Sequence, residues 1–194
     1  MHTMNTREMT VSVIGALVST LLATFFSDTV LSAEGTHIIL ASTGATAILV
    51  FGMPHVPASQ PWNIVGGHLV SAFVGVSCYI LIPIDILAAS VAIPVAMFSM
   101  HKLRCMHPPG GATAITAVIG GESVHHLSYA FMIVPVFFNA IIVLSIAISV
   151  ATFRDKNPYL SYFDPVSLTH NPDQQAIAKS AHGLSYLIWC SICR

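Results

Sequence analysis

The chain has 194 residues, of which 55% are apolar and 8% charged, with a mean hydropathy of +0.78 and a formal net charge of −1. A soluble domain carries about 25% charged residues, so this composition excludes an ordinary soluble enzyme and predicts an integral membrane protein of one domain. The near balance of charges offers no basic footprint for a nucleic acid.

Residues 1–9 contain only Arg7 and Glu8 as charges and run straight into an apolar stretch. Without a basic lead or a cleavage site, that stretch reads as a retained span rather than a signal peptide. The first segment covers residues 10–27, with Gly15, Ala16, Ser19 and Ala23 suited to close helix packing. Asp28 and Glu34 mark a loop, and a second segment follows over 37–53. Residues 54–61 hold three prolines and form a turn-rich connector. A third segment starts at Trp62, an interface-type aromatic, and reaches residue 82. Asn63, Gly66, Gly67 and His68 fall in its first turns.

Pro83 and Asp85 break the third segment, and a fourth covers 86–100. His101-Lys102-Leu103-Arg104 then leads into a short fifth piece, 110–121. The sixth covers 127–153 with Asn139 inside it. Residues 154–194 form a polar tail whose apolar patch at 183–192 is too short to span a bilayer.

The chain is organised around His107-Pro108-Pro109-Gly110-Gly111-Ala112-Thr113-Ala114-Ile115 and its partial echo, Gly44-Ala45-Thr46-Ala47-Ile48. The five residues Gly-Ala-Thr-Ala-Ile recur 67 positions apart. Proline lacks an N–H donor and glycine has little backbone restraint. Each copy therefore reads as an irregular approach ending in a fresh helix start, where N–H groups and the positive end of the dipole gather. Five extended residues, 107–111, plus ten helical ones cover about 30 Å, so the short fifth piece is long enough to cross. A re-entrant loop is the competing geometry.

With six crossings and the N-terminus inside, Arg7, Lys102, Arg104, Arg154, Lys156, Lys179 and Arg194 all lie inside, and Asp28, Glu34, Asp85 and Glu122 outside. That distribution obeys the positive-inside rule. The expected fold is an all-α membrane domain over 1–153, built as a 3+3 inverted repeat of 10–83 and 85–153. Two broken or half-length helices start at the Gly-Ala-Thr-Ala motifs. Inverted repeats whose broken helices meet near the midplane are a recurring transporter design.

The candidate binding residues are Thr43, Gly44, Ala45 and Thr46 from the first copy, with the Ser42 hydroxyl beside them. From the second come His107, Pro108, Pro109, Gly110, Gly111, Ala112 and Thr113. Neither stretch contains an acid, so opposed helix N-termini and hydroxyls suit a small anion better than a cation. Lys102 and Arg104 at the inner mouth raise the local anion concentration. Packing is an equal explanation for the glycines and alanines. Asn63, His68 and Asn139 are pathway candidates, because polar groups in a span are costly unless paired. His68 and Asn139 serve as well if they simply bond a neighbouring helix. His107 is placed to gate or carry protons, or to cap a carbonyl.

No nucleophile–base pair, carboxylate pair or phosphate loop is present, so no catalytic residue and no cofactor are expected. The adjacent His125 and His126 are a weak metal signal, as is the lone Cys190-x-x-Cys193, and no metal site is expected.

The run Arg104-Cys-Met-His107-Pro-Pro-Gly-Gly-Ala-Thr-Ala114 closely resembles the signature of the HPP family of integral membrane proteins. The likeness extends to Gly44-Ala-Thr-Ala-Ile-Leu-Val-Phe51 and Gln60-Pro-Trp-Asn-Ile-Val-Gly-Gly-His68, and covers roughly residues 10–153. The resemblance implies a bacterial or plastid-envelope membrane protein, with nitrite transport the activity attributed to plant and cyanobacterial members. Such proteins are commonly described with four spans, against the six read here. Some carry CBS modules at the C-terminus, for which this chain is too short. The expectation is a transporter of a small anion, nitrite first, in a bacterial inner membrane. Its N-terminus and tail are cytoplasmic, and its partners are the bilayer and further copies of itself. An anion channel and a non-transporting anion-sensing anchor are the rivals.

Overall fold

The structure, a computed structural model, describes residues 6–31 and 40–153. The described residues form seven α-helices and no strand: α1 Thr6–Leu31, α2 Ala41–Gly52, α3 Pro61–Leu81, α4 Asp85–Lys102, α5 Gly110–Ile119, α6 Glu122–His125 and α7 Phe138–Phe153. The tail with Cys190 and Cys193, and the 183–192 patch, lie outside the described residues.

Three stretches are long and apolar enough to cross a bilayer: Thr6–Thr29, Pro61–Leu81 and Ser128–Thr152. Helices α2 and α5, at 12 and 10 residues, are too short to span as helix alone, because about 20 residues are needed. Both contain a copy of the motif, α5 starting one residue before its copy and α2 three residues before. The sixth segment, read as continuous from the sequence, is interrupted. A 3-10 turn at Ser128–Met132 and a wide turn at Ile133–Phe137 precede α7, and Val134 is extended (φ −125°, ψ 111°). Pro135 explains the break: it lacks an N–H and pushes the residue before it out of helical geometry.

Helix α1 buries a narrow stripe of small residues, Ser12, Gly15, Ser19, Ala23 and Ser27, at the three-to-four spacing of one helix face. A Cβ added at Gly15 would lie 2.5 Å from Phe51 Cε1 and 3.1 Å from Val150 Cγ2. Small residues are what let helices pack closely in lipid. The opposite face exposes Leu17, Leu21 and Phe25, as a lipid-facing surface does. A second small-residue ladder, Ala88, Ala92 and Ala96 on α4, is fully buried against α3 and α5.

The packing partners follow a simple pattern. Helix α1 lies against α2 and α7, while α4 lies against α5 and α3. The short helix α5 packs on α3, and α2 packs on α7. The glycines of α3 bring that helix onto the motif segment. A Cβ at Gly75 would come within 2.5 Å of the Ala114 carbonyl oxygen, and one at Gly67 within 2.5 Å of His107 Cβ.

Candidate functional site

The connector after α4 returns the chain into the protein at Cys105, Met106 and His107. A turn at Pro108 and Pro109 then starts α5 at Gly110. The five extended residues expected over 107–111 are therefore absent. Pro109 is already helical (φ −58°, ψ −19°), which proline's fixed φ favours at a helix start.

That turn also removes the anion site expected at the tip of α5. The N–H groups of Gly110, Gly111 and Ala112 bond the carbonyls of His107, Pro108 and Pro109 at 2.9–3.1 Å, and Thr113 N–H reaches the Pro109 carbonyl at 3.4 Å. In α2 the helix begins at Ala41, three residues before Gly44, so Gly44-Ala45-Thr46 completes its first turn rather than preceding it. Thr43 N–H is held by the Leu40 carbonyl at 2.9 Å. What the two motif copies bring together is side chains.

Thr46 and Thr113 meet at His68. Thr46 Oγ1 lies 2.8 Å from His68 Nε2, and Thr113 Oγ1 lies 2.8 Å from His68 Nδ1. Thr46 Oγ1 is also 3.0 Å from His107 Nε2 and 2.8 Å from the Ser42 carbonyl oxygen. His107 Nδ1 faces the Ala58 carbonyl oxygen at 2.7 Å. The two imidazoles stand edge to face, 4.8 Å between centroids. All four side chains are buried, with His107 and Thr113 at 0% exposure. The cluster is a continuous hydrogen-bonded row from Thr113 through His68, Thr46 and His107 to the backbone at Ala58.

A cavity of about 10 Å³ adjoins this row, lined by Ser42, Thr43, Thr46, His68, Asn139 and apolar neighbours. That is room for about one water. Asn139 is in the first turn of α7, just past the Pro135 break. Its Nδ2 donates to Ser27 Oγ at 2.6 Å and Thr43 Oγ1 at 3.3 Å. Its Oδ1 is buried with no partner among the described residues, the kind of group that a water or ligand satisfies. Both hydroxyls can donate as well as accept. If the amide turns over, they bond Oδ1 and its NH₂ faces the cavity instead.

The remaining sequence candidates divide. Gly110 lies against Ser71 Oγ and the Gly67 backbone, whereas a Cβ at Gly44 or Gly111 would meet nothing within 4 Å. Ala45 is exposed, and Ala112 lies on the half-buried side of α5. Asn63 donates to the Pro57 carbonyl at 2.7 Å and ties the connector to α3. Arg104 is exposed in the turn after α4 with φ 53°. Sequence reading had no signal for the Ala58 carbonyl, the Ser27 hydroxyl or the carbonyl role of Ser42. Backbone acceptors carry no residue signature. Among the described residues no group of three or more His, Cys, Asp or Glu gathers.

A family model described as "HPP, transmembrane region" matches residues 1–160. The chain belongs to the HPP transmembrane family. Two HPP-like relatives from Dictyostelium discoideum, each described only as a transmembrane protein, are 32% identical over 131 residues and 36% identical over 128. Those alignments take in 66% and 64% of this chain but 46% and 41% of the relatives, so the HPP chain spans less than half the length of either. No solved structure matches it. Family membership and the apolar helices make this HPP protein an integral membrane protein.

Proposed function

We propose that this HPP protein moves a small inorganic anion across the bilayer, nitrite first, and holds it beside Thr46. One observation carries the reading: both copies of the repeated motif deliver a threonine to the same buried histidine, next to a cavity lined by Asn139, whose amide oxygen has no hydrogen-bond partner among the described residues. Buried polar groups within apolar helices are costly, and such residues usually mark a solute path. The polar groups lining the cavity are the hydroxyls of Ser42, Thr43 and Thr46, the His68 imidazole and the Asn139 amide rather than helix-tip N–H groups. Among the described residues no carboxylate lines the cavity, which favours an anion over a cation.

The packing pattern supports a repeat. Exchanging α1, α2 and α3 for α4, α5 and α7 turns each major helix pairing into another: α1 on α7 becomes α4 on α3, α1 on α2 becomes α4 on α5, and α3 on α5 becomes α7 on α2. We read this as the 3+3 inverted repeat with six crossings, in a bacterial inner membrane with a cytoplasmic N-terminus. Further copies complete the lipid-facing assembly. A water-sized cavity favours a carrier that must open over a standing channel.

Uptake of nitrite into proteoliposomes, compared with nitrate, chloride and formate, tests the proposal. Nitrite flux above empty vesicles and saturable with concentration is expected. Flux rising linearly without saturation indicates the channel. Binding without flux indicates a sensing anchor.

A further inference from the structure

The hydrogen bonds around Thr46 do not balance with two neutral histidines, and the imbalance is one proton. The Ala58 carbonyl only accepts, so His107 Nδ1, 2.7 Å away, carries a proton. A neutral His107 then has a bare Nε2 that needs a donor, and the Thr46 hydroxyl is 3.0 Å from it. On the other side, if Thr113 donates to His68 Nδ1, His68 Nε2–H donates to Thr46 Oγ1. The Thr46 hydroxyl has one proton and two acceptors within 3.0 Å, His107 Nε2 and the Ser42 carbonyl oxygen. The opposite choice, with Thr113 accepting from His68, bares His68 Nε2 and gives Thr46 three acceptors.

One added proton settles every bond. With His107 protonated on both nitrogens, Nε2–H donates to Thr46 Oγ1 and the Thr46 hydroxyl turns to the Ser42 carbonyl. No hydrogen bond is lost, because the Thr46 rotor only changes acceptor. What the protonated state lacks is a counter-charge, since a buried cation is costly unless paired. The groups that face His107 are Thr46 from α2, His68 and Gly67 from α3, Ala58 from the connector, and Met100 and Cys105 around Gly67. Of these only His68 and Cys105 titrate, and none is a carboxylate. His101 and Lys102 in the last turn of α4, and Arg104 in the turn after it, are exposed. Across Thr46 lies the cavity, to which α7 adds Asn139, Ala140 and Val143, and the turn before it Val136, none of them charged.

We propose that His107 takes up one proton as an anion enters the cavity beside Thr46, so that the site loads proton and anion together. This rests on the anion-transport reading and names its coupling ion. The proton comes from water and bonds His107 Nε2, the anion supplies the negative charge, and both leave together. For a monovalent anion the loaded site is electrically neutral overall, which suits passage through a bilayer. Reciprocity requires that proton and anion each raise the affinity for the other.

Calorimetric titration of the purified protein with sodium nitrite, in buffers of different ionisation enthalpy, counts protons exchanged on binding. The expected result is about one proton taken up per nitrite, with affinity falling about tenfold per pH unit where His107 is neutral in the free protein. His107→Gln is expected to abolish the proton uptake, while Thr46→Ser, which keeps the rotor, retains it. Nitrite binding with no proton exchanged, or with unchanged exchange in His107→Gln, overturns this proposal and leaves anion transport standing. No nitrite binding by the wild-type protein overturns both.

Discussion

Thr46 and Thr113, 67 residues apart in the chain, hold opposite nitrogens of one imidazole, His68, each at 2.8 Å. Each threonine stands at the same place in its own copy of Gly-Ala-Thr-Ala-Ile. The relation fixes the ring on both edges, so the tautomer of His68 is set by which threonine donates.

Replacing Thr113 by valine keeps the side-chain shape and removes the hydroxyl partner of His68 Nδ1. A buried nitrogen left without a partner costs about 1–3 kcal/mol. Nitrite affinity is expected to fall about tenfold with normal membrane insertion. Thr46→Val, which severs three contacts, is expected to cost more. Equal affinities for wild type and both variants would return the two threonines to a packing role.

The glycines of the motif region separate into two kinds. At Gly67 an added methyl meets His107 Cβ at 2.5 Å, whereas at Gly111 it meets nothing within 4 Å. Gly67→Ala is expected to destabilise by about 1–3 kcal/mol through overpacking. Gly111→Ala, inside a helix, is expected to be neutral or to stabilise by up to about 1 kcal/mol. Thermal unfolding in detergent reads both, and a drop in Tm for Gly111→Ala as large as that for Gly67→Ala contradicts the packing described.

Asn139→Asp puts a carboxylate of nearly the same shape against the cavity. An anion solute predicts a loss of nitrite uptake greater than tenfold, with normal expression. Retained uptake would mean the anion passes elsewhere.

Six crossings place Arg104 and Glu122 on opposite sides of the bilayer, since α5 lies between them. Single cysteines at these two positions, in a background with native cysteines replaced, are expected to react with an impermeant maleimide from opposite faces. Labelling from one face would make α5 re-entrant.

Much of the architecture was legible because it depends on local rules. Pro61, Pro83 and the Pro108-Pro109 pair punctuate the chain where helices start or stop, and the α1 stripe follows from the spacing of Gly15, Ser19 and Ala23. Thr46, Thr113, His107, His68 and Asn139 stood out as polar groups in apolar surroundings. The sequence misjudged the chain at Pro135, where an apolar run hid a break, and at Pro108-Pro109, where a turn replaced extended chain. In both places residue type allowed two backbone paths, and tertiary packing chose. The bonds to Ala58 and Ser42 use main-chain oxygens, which every residue has.

The missing side chains at Gly67, Gly75 and Gly110 leave α3, the connector and α5 no clearance to slide on one another. Any widening of the water-sized chamber therefore falls to the other half of the molecule. The hydroxyl of Thr46, on α2, is the group that ties that half to the wall, through His68 of α3 and His107 of the segment before α5.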